Sequence, residues 1–424
     1  MHPFEIVLIL LAAALLLALV AQRLGLPYPI LLTLGGVGLA FQPMVPRMHL
    51  EPEMVFTAFL PPLLYAAAFN TRWQAFRHHL RAISLLAVGL VLFTTVLVAV
   101  VTHHCFDLPW AAGFVLGAIV SPPDAVAAVA VTKRVRVPPV VTTILEGESL
   151  VNDAAALVAY RAGVAAVVGG TFDRLEVGVH FVAVPLGGVA FGLAAAWAVV
   201  LFHRGLNRRE LADPKVTISF TLLTPYAIYL PAEALGASGV LAVVAAGLWV
   251  GHRAHTVFDG DLLHEGRAVW EWLEFKLNSL IFILIGFQLP YILDDIDDRH
   301  TVGELFGYSA LIAGVVIAAR IAWVFPFTYL PRWLDRVVLG RGDPYPPWRH
   351  VAVVAWTGMR GVVSLAAAMA IPHVTRSGEP FPGRDVIAFV TFWVIFATLV
   401  GQGLTLPLLI RWLGVGREPA SGGA

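Results

Sequence analysis

Glu148, Ser149, Asn152 and Asp153 stand together in EGESLVNDAAALVAY, at the head of an otherwise apolar segment. Glu148 and Asn152 are four residues apart, as are Ser149 and Asp153, so on a helix they form two adjoining polar stripes over two turns. Asp153 falls well inside the apolar run, where a bare carboxylate costs roughly 2.5–3.5 kcal/mol or more. Two chemistries make that cost tolerable. A carboxylate locked to an arginine holds helices together, whereas an unlocked one accepts a proton or a cation. With Glu148 available for pairing, Asp153 is the group expected to cycle.

A second constellation is SPPD, at 121–124. Pro122 and Pro123 lack an N–H and clash with the preceding turn, so a helix cannot run through them. Ser121 and Asp124 sit at the break, with Asp124 positioned to cap the half-helix that follows. A capped proline kink is one reading. The other is an ion site, because broken backbone at mid-membrane survives beside protein or a water-filled cavity, and transporters bind ions there.

Four basic residues lie inside apolar runs: Arg161, Lys276, Arg320 and Arg360. Buried cations pair. One assignment puts Glu148 with Arg320 as a structural clamp and Asp124 with Arg360 across two broken helices. The competing assignment pairs Glu148 with Arg360. Lys276 is expected to pair with Glu271 or Glu274 near the cytoplasmic end, Arg161 is placed to snorkel outward, and Glu233 reads as an external helix-end residue. The histidines, among them His78, His79, His103, His104 and His350, fall in loops and read as solvated.

The elements that hold these groups follow from composition. Hydrophobic residues make up 58% of the 424-residue chain and charged residues 13%, about half the share usual in a soluble domain. Runs of about 20 apolar residues, the length that crosses a hydrocarbon core, recur throughout. Thirteen spans are expected, starting near Phe4, Ile30, Met54, Ala82, Leu108, Glu148, Val177, Val216, Ser238, Ala268, Gly303, Val351 and Val386. All should be helical, since barrel strands alternate where these runs do not. The first is too long and poorly flanked for a signal peptide. With the N-terminus outside and the C-terminus inside, 19 of the 28 Lys and Arg fall in cytoplasmic segments and five in external loops. That asymmetry is the one basic loops impose during insertion. The acidic LDDIDDRH loop falls outside.

Spans 1–6 and 8–13 read as an inverted repeat joined by span 7. The fifth span of each half is interrupted: GFVLGAIVSPPDAVAAVAV in span 5, VAVVAWTGMRGVVSLAAAMAI in span 12. The fold class is therefore an all-α polytopic membrane protein with crossed, broken helices 5 and 12. A single cysteine, Cys105, excludes a disulfide framework and a multi-thiolate metal site. A formal charge of zero gives no sign of a nucleic-acid partner. Neither HExxH nor GxSxG occurs, and neither repeated carbonyl filters nor Arg-rich helices are visible, so hydrolase, channel and voltage-sensor readings lack their motifs.

In order, FLPPLLYAAAF, GAIVSPPDAVAAVAV, EGESLVNDAAALV, SGVLAVVAAGLWVG, FILIGFQL and WTGMRGVVSLA resemble the sodium/proton exchanger family of cation:proton antiporters, from the first span to the last. The resemblance implies exchange of Na⁺, with Li⁺ or K⁺ as alternatives, for H⁺ across the cytoplasmic membrane, with no cofactor. It implies a homodimer in the bilayer. Spans 1–3 (residues 1–80) and 7–10 (171–300) would be the scaffold, spans 4–6 (81–170) and 11–13 (301–413) the moving core, and 414–424 a short tail. By motif, Asp153 corresponds to the ion- and proton-binding carboxylate, Asn152 to its partner and Ser149 to a further Na⁺ ligand. Asn-Asp in place of Asp-Asp implies electroneutral exchange. Two positions depart from the family pattern: Pro123 replaces a frequent Thr, and Ala66 a frequent Glu. Ser121 or backbone carbonyls at the break are the expected substitutes, since hard cations need only oxygens.

Overall fold

The computed structural model describes residues 3–43, 45, 50–135, 137–169, 174–209, 213–296, 300–338, 340 and 344–415. Arg47, Arg299 and the tail beyond Val415 lie outside them. Among the described residues no strand forms, and the elements are α1 Pro3–Leu24, α2 Tyr28–Ala40, α3 Pro52–Asn70 and α4 Leu80–Phe106. An interrupted helix follows, α5a Trp110–Val120 and α5b Ala125–Val135, then α6 Pro139–Gly169 and α7 Arg174–Arg208. Next come α8 Pro214–Ala234, α9 Gly239–Val257, α10 Gly260–Phe287 and α11 Val302–Val338. A second interrupted helix, α12a Trp348–Trp356 and α12b Val362–Met369, precedes α13 Arg384–Leu413. Nine helices among the described residues are long and apolar enough to cross a membrane; α1 and α2 are shorter apolar helices.

Local chemistry sets the helix ends. Asp213 caps α8, its Oδ1 accepting from Lys215 N at 2.9 Å and Val216 N at 3.2 Å, and Pro214 occupies the first helical position, where no N–H is needed. Ser238 caps α9 by accepting from Leu241 N at 3.2 Å. Thr301 and Glu304 form a reciprocal capping box at the head of α11, with Thr301 N donating to Glu304 Oε2 at 2.9 Å and Glu304 N to Thr301 Oγ1 at 3.3 Å.

Buried apolar side chains form two clusters. The larger runs through α2, α5, α10, α12 and α13 with Leu32, Leu116, Phe282, Phe287, Phe389 and Phe392. The smaller joins α3, α8 and α9 to one face of α6, through Tyr65, Ile228, Val243 and Leu150. The outer face of α7 stays bare at Val182, Leu186 and Trp197, an apolar surface suited to lipid or a neighbouring subunit.

Close backbone approach matters most between α2 and α10. A Cβ on Gly36 would collide with Ile283 O, and one on Gly286 with Thr33 O. Helices in a bilayer associate through such small-residue contacts, because lipid removes the hydrophobic drive between them. Gly286→Leu is therefore expected to destabilise the protein by about 1–3 kcal/mol. Gly38→Ala on the same α2, where a Cβ meets nothing within 4 Å, should leave the melting temperature in detergent unchanged. Equal melting of both variants would contradict the contact.

Candidate functional site

The interruptions of α5 and α12 meet. Asp124 N, at the head of α5b, donates to Met359 O in the α12 break at 2.7 Å. Asp124 Oδ1 accepts from Val126 N at 2.8 Å, which makes it the N-cap of α5b. Its other oxygen points at Gly361, where any Cβ would overlap the Asp124 carboxylate. Gly361 is extended (φ −134°, ψ −160°), so the requirement there is space, not an unusual backbone angle.

α6 presents two faces to this junction. One carries Asn152, fully buried, whose Nδ2 donates to Pro123 O at 2.8 Å and so satisfies a carbonyl that the break leaves without a helical partner. The same face carries Glu148. Arg320 of α11 grips it with two parallel bonds, Nη1 to Oε1 at 2.6 Å and Nη2 to Oε2 at 2.8 Å, and its Nε donates to Val354 O of α12a at 3.1 Å. Both side chains are 1% exposed. This fork ties α6, α11 and α12a together, with the bidentate geometry that makes arginine–carboxylate pairs strong.

The other face of α6 opens onto a cavity of about 110 Å³, roomy enough for several waters. Glu146, Ser149 and Asp153 of α6, Asp124 of the break, Asn278 of α10 and Ser364 of α12b provide its polar groups. No Lys, Arg or His is among the described residues lining it. Ser149 Oγ accepts from Ala125 N at 3.4 Å, which sets its hydroxyl against the head of α5b. Asp153 is 9% exposed and, among the described residues, takes part in no ion pair. Two acidic side chains, Asp124 and Asp153, facing one small cavity with no cationic side chain among its described lining residues create a field that favours cations and protons.

Several expectations need correction. Asp124 and Arg360 do not pair, because the cap on α5b and the contact at Gly361 hold the Asp124 carboxylate on the cavity side. Arg360 is 1% exposed and turned to the opposite side, within electrostatic range of Glu148 and Arg320. Its amide donates to Thr398 Oγ1 at 3.1 Å, while Nε and Nη1 have no hydrogen-bond partner among the described residues. Ser121 does not border the cavity; its hydroxyl folds back to Ala118 O at 3.1 Å. Pro123 reaches the site only through its carbonyl, already held by Asn152. Ala66 borders a separate apolar slot, whereas α3 shows the cavity Leu60, Leu63, Leu64 and Ala67.

Beyond the site, Arg161 does not simply snorkel, because its Nη2 donates to Glu233 Oε2 at 2.8 Å. Lys276 Nζ lies 5.0 Å from the centre of the Trp272 ring. His79 is half-buried beside Arg332 and His350 in a cavity between α4, α6, α11 and α12a; burial first, then the His78 and Arg332 charges, hold its pKa below the ordinary value.

Glu146, Asn278 and Ser364 were missed as cavity groups. Glu146 had a signal, since it lies three residues before Ser149 and seven before Asp153 on one helical face. Asn278 and Ser364 are brought in by tertiary packing and carried no comparable pattern.

A carboxylate cavity at the meeting point of two discontinuous membrane helices defines the class of secondary transporters. The comparisons agree with that class. The model of the sodium/hydrogen exchanger transmembrane family matches residues 8–412. A Mycobacterium tuberculosis protein named as an uncharacterized Na(+)/H(+) exchanger is 36% identical over 415 residues, 96% of this chain and 74% of its own. A Bacillus subtilis protein named as a sodium, potassium, lithium and rubidium/H(+) antiporter is 34% identical, over 96% of this chain and 62% of its own. The fold matches that of the sodium proton antiporter MjNhaP1 from Methanocaldococcus jannaschii with a TM-score of 0.75 and 20% identity, over 98% of each chain. This chain belongs to the sodium/hydrogen exchanger family, a family of multi-pass membrane transporters.

The fork predicts a specific stability pattern. Glu148→Gln leaves Arg320 a buried charge without its counter-ion and should cost about 3–5 kcal/mol. The double variant Glu148→Leu with Arg320→Met should recover much of that loss in a detergent melting assay. An unshifted melting temperature in Glu148→Gln would remove the clamp from the account.

Proposed function

We propose that the protein exchanges one monovalent cation, Na⁺ in the first place with Li⁺ and K⁺ as alternatives, for one proton, and that both compete for Asp153. The observation that carries this reading is the contrast between the two faces of α6. Glu148 is neutralised by Arg320, whereas Asp153 faces a small acidic cavity and is in no ion pair among the described residues. A desolvated cation in that cavity needs oxygens, and Ser149 Oγ, Asp124, Ser364, Asn278 and Glu146 supply them alongside Asp153.

The exchange follows from exclusion. When Asp153 holds Na⁺ it has no room for a proton, and when protonated it has lost the charge that attracts Na⁺. Asp124 is suited to a supporting role, because one of its oxygens is engaged by Val126 N. Asn152 is neutral and fixes the broken backbone, so one titrating charge is carried per cycle and transport is electroneutral.

The reading extends to the assembly. Thirteen crossings, with the N-terminus outside and the C-terminus inside the cytoplasmic membrane, agree with the basic-residue asymmetry. An inverted repeat of helices 1–6 and 8–13 agrees with the two interruptions. Residues 1–80 and 171–300 would form the scaffold of a homodimer through the bare apolar face of α7, and 81–170 and 301–413 the core that moves between the two faces of the membrane. The Bacillus subtilis relative's name supports a site open to several alkali cations.

A fluorescence-dequenching assay in everted vesicles tests this. An imposed proton gradient should collapse on addition of Na⁺, Li⁺ or K⁺ and hold without them; collapse without cation would mark a leak. Asp153→Asn is expected to abolish the response with the melting temperature retained, and retained exchange would remove Asp153 from the mechanism. Asn152→Asp, which adds a charge beside Asp153, should make flux sensitive to membrane potential. Insensitivity would mean that charge count at 152 does not set stoichiometry.

A further inference from the structure

On the face that carries the basic loops, the end of α3, the end of α9 and the start of α10 enclose a cavity of about 330 Å³, within the size range of ligand pockets. Its polar wall includes Asn70, Arg72, Gln74, His252, His255 and Arg267, with Trp73 beside them, and none of the described lining residues is acidic. Four arginines are ion-paired among the described residues: Arg81 with Asp335, Arg161 with Glu233, Arg320 with Glu148 and Arg384 with Asp295. Arg72 and Arg267 take part in no ion pair among the described residues. Two guanidinium side chains lining one concave surface offer donors of the kind matched to phosphate oxygens.

The mouth continues into an apolar slot of about 50 Å³. Phe69, Asn70, Leu263 and Arg267 line both spaces, and Tyr65, Ile218, Phe258 and Leu262 form the slot itself. Its floor is fixed, because Trp270 Nε1 donates to Thr221 Oγ1 at 3.2 Å and the Trp270 ring packs 5.7 Å from that of Tyr65. Beside it, α8 exposes Val216, Phe220 and Leu223, an apolar surface suited to hydrocarbon. A basic mouth at the level where helices end, joined to a groove open to hydrocarbon, has the chemistry of one kind of occupant. Basic pockets between helices on the cytoplasmic side take anionic headgroups, and the negative surface potential of that leaflet concentrates them there.

We propose that this cavity binds an anionic phospholipid of the inner leaflet, its phosphate held between Arg72 and Arg267 and one acyl chain entering the slot beside Ile218. The site is separate from the carboxylate cavity, so the proposal stands independently of the exchange reading. It gives α3, α8, α9 and α10 a lipid that staples them together and seats this end of the bundle at the membrane surface.

The test is thermal melting of the purified full chain in a nonionic detergent with three added probes: dioctanoyl phosphatidylglycerol, dioctanoyl phosphatidylcholine and inorganic phosphate. Phosphatidylglycerol should raise the melting temperature saturably, and the other two should not. Arg72→Gln with Arg267→Gln, both at exposed positions, should weaken the response about tenfold or more, equivalent to ~1.4 kcal/mol. Ile218→Trp, which fills the slot, should weaken it with the mouth intact; if that variant fails to fold, the arginine pair alone decides. An equal response to inorganic phosphate, an equal response to phosphatidylcholine, no response to phosphatidylglycerol, or a full response in the arginine variant would each overturn the site.

Discussion

The backbone hydrogen bond from Asp124 to Met359 O joins two helix interruptions that neither helix could sustain alone in hydrocarbon. Each break frees amides and carbonyls that lipid cannot satisfy. Here the breaks satisfy one another, helped by the Asp124 cap on α5b, the Asn152 amide on Pro123 O and the Thr398 hydroxyl on the Arg360 amide. The result is a patch of polar backbone and carboxylate at the centre of an oily bundle. Gly361 is required there because the Asp124 carboxylate occupies the volume that a side chain would fill.

Around that junction α6 sorts its charges by face. Glu148 turns to Arg320, and the pair behaves as neutral scaffolding that links three helices. Asp153 turns to the cavity. Were the arrangement reversed, with Arg320 or Arg360 in the cavity wall, a fixed guanidinium would repel the cation and hold Asp153 in one charge state. Arg360 is the informative case: fully buried, close to the junction, yet on the Glu148 side, with Nε and Nη1 lacking partners among the described residues. Its amide helps hold the break by donating to Thr398 Oγ1.

Much of this was legible because the signals were local. Double proline stops a helix wherever it stands, Asp124 one residue later is a cap, and polar residues four apart share a face. The partition of buried charges was only half legible. Glu148 could be matched to an arginine by counting, but which carboxylate Arg360 would face depends on how two interrupted helices meet, and no spacing encodes that. Arg161 and Glu233, 72 residues apart, were read separately for the same reason. Ser121 looked like a ligand because it adjoins the break; its side chain instead caps its own helix, as serines near helix ends readily do. Ser364 comes from a half-helix that is otherwise apolar, and Asn278 stands where α10 turns from a charged first half to an apolar second half, so neither carries a spacing that points to the cavity.

The central claim is that one carboxylate holds either a cation or a proton. It is tested most directly by counting protons released as Na⁺ binds to purified protein in weakly buffered solution, with and without Asp153→Asn. The account predicts about one proton released per Na⁺ bound, since cation binding to a protonated acid must displace it, and neither saturable binding nor release in the variant. Saturable Na⁺ binding without proton release, or release that persists in Asp153→Asn, would contradict it.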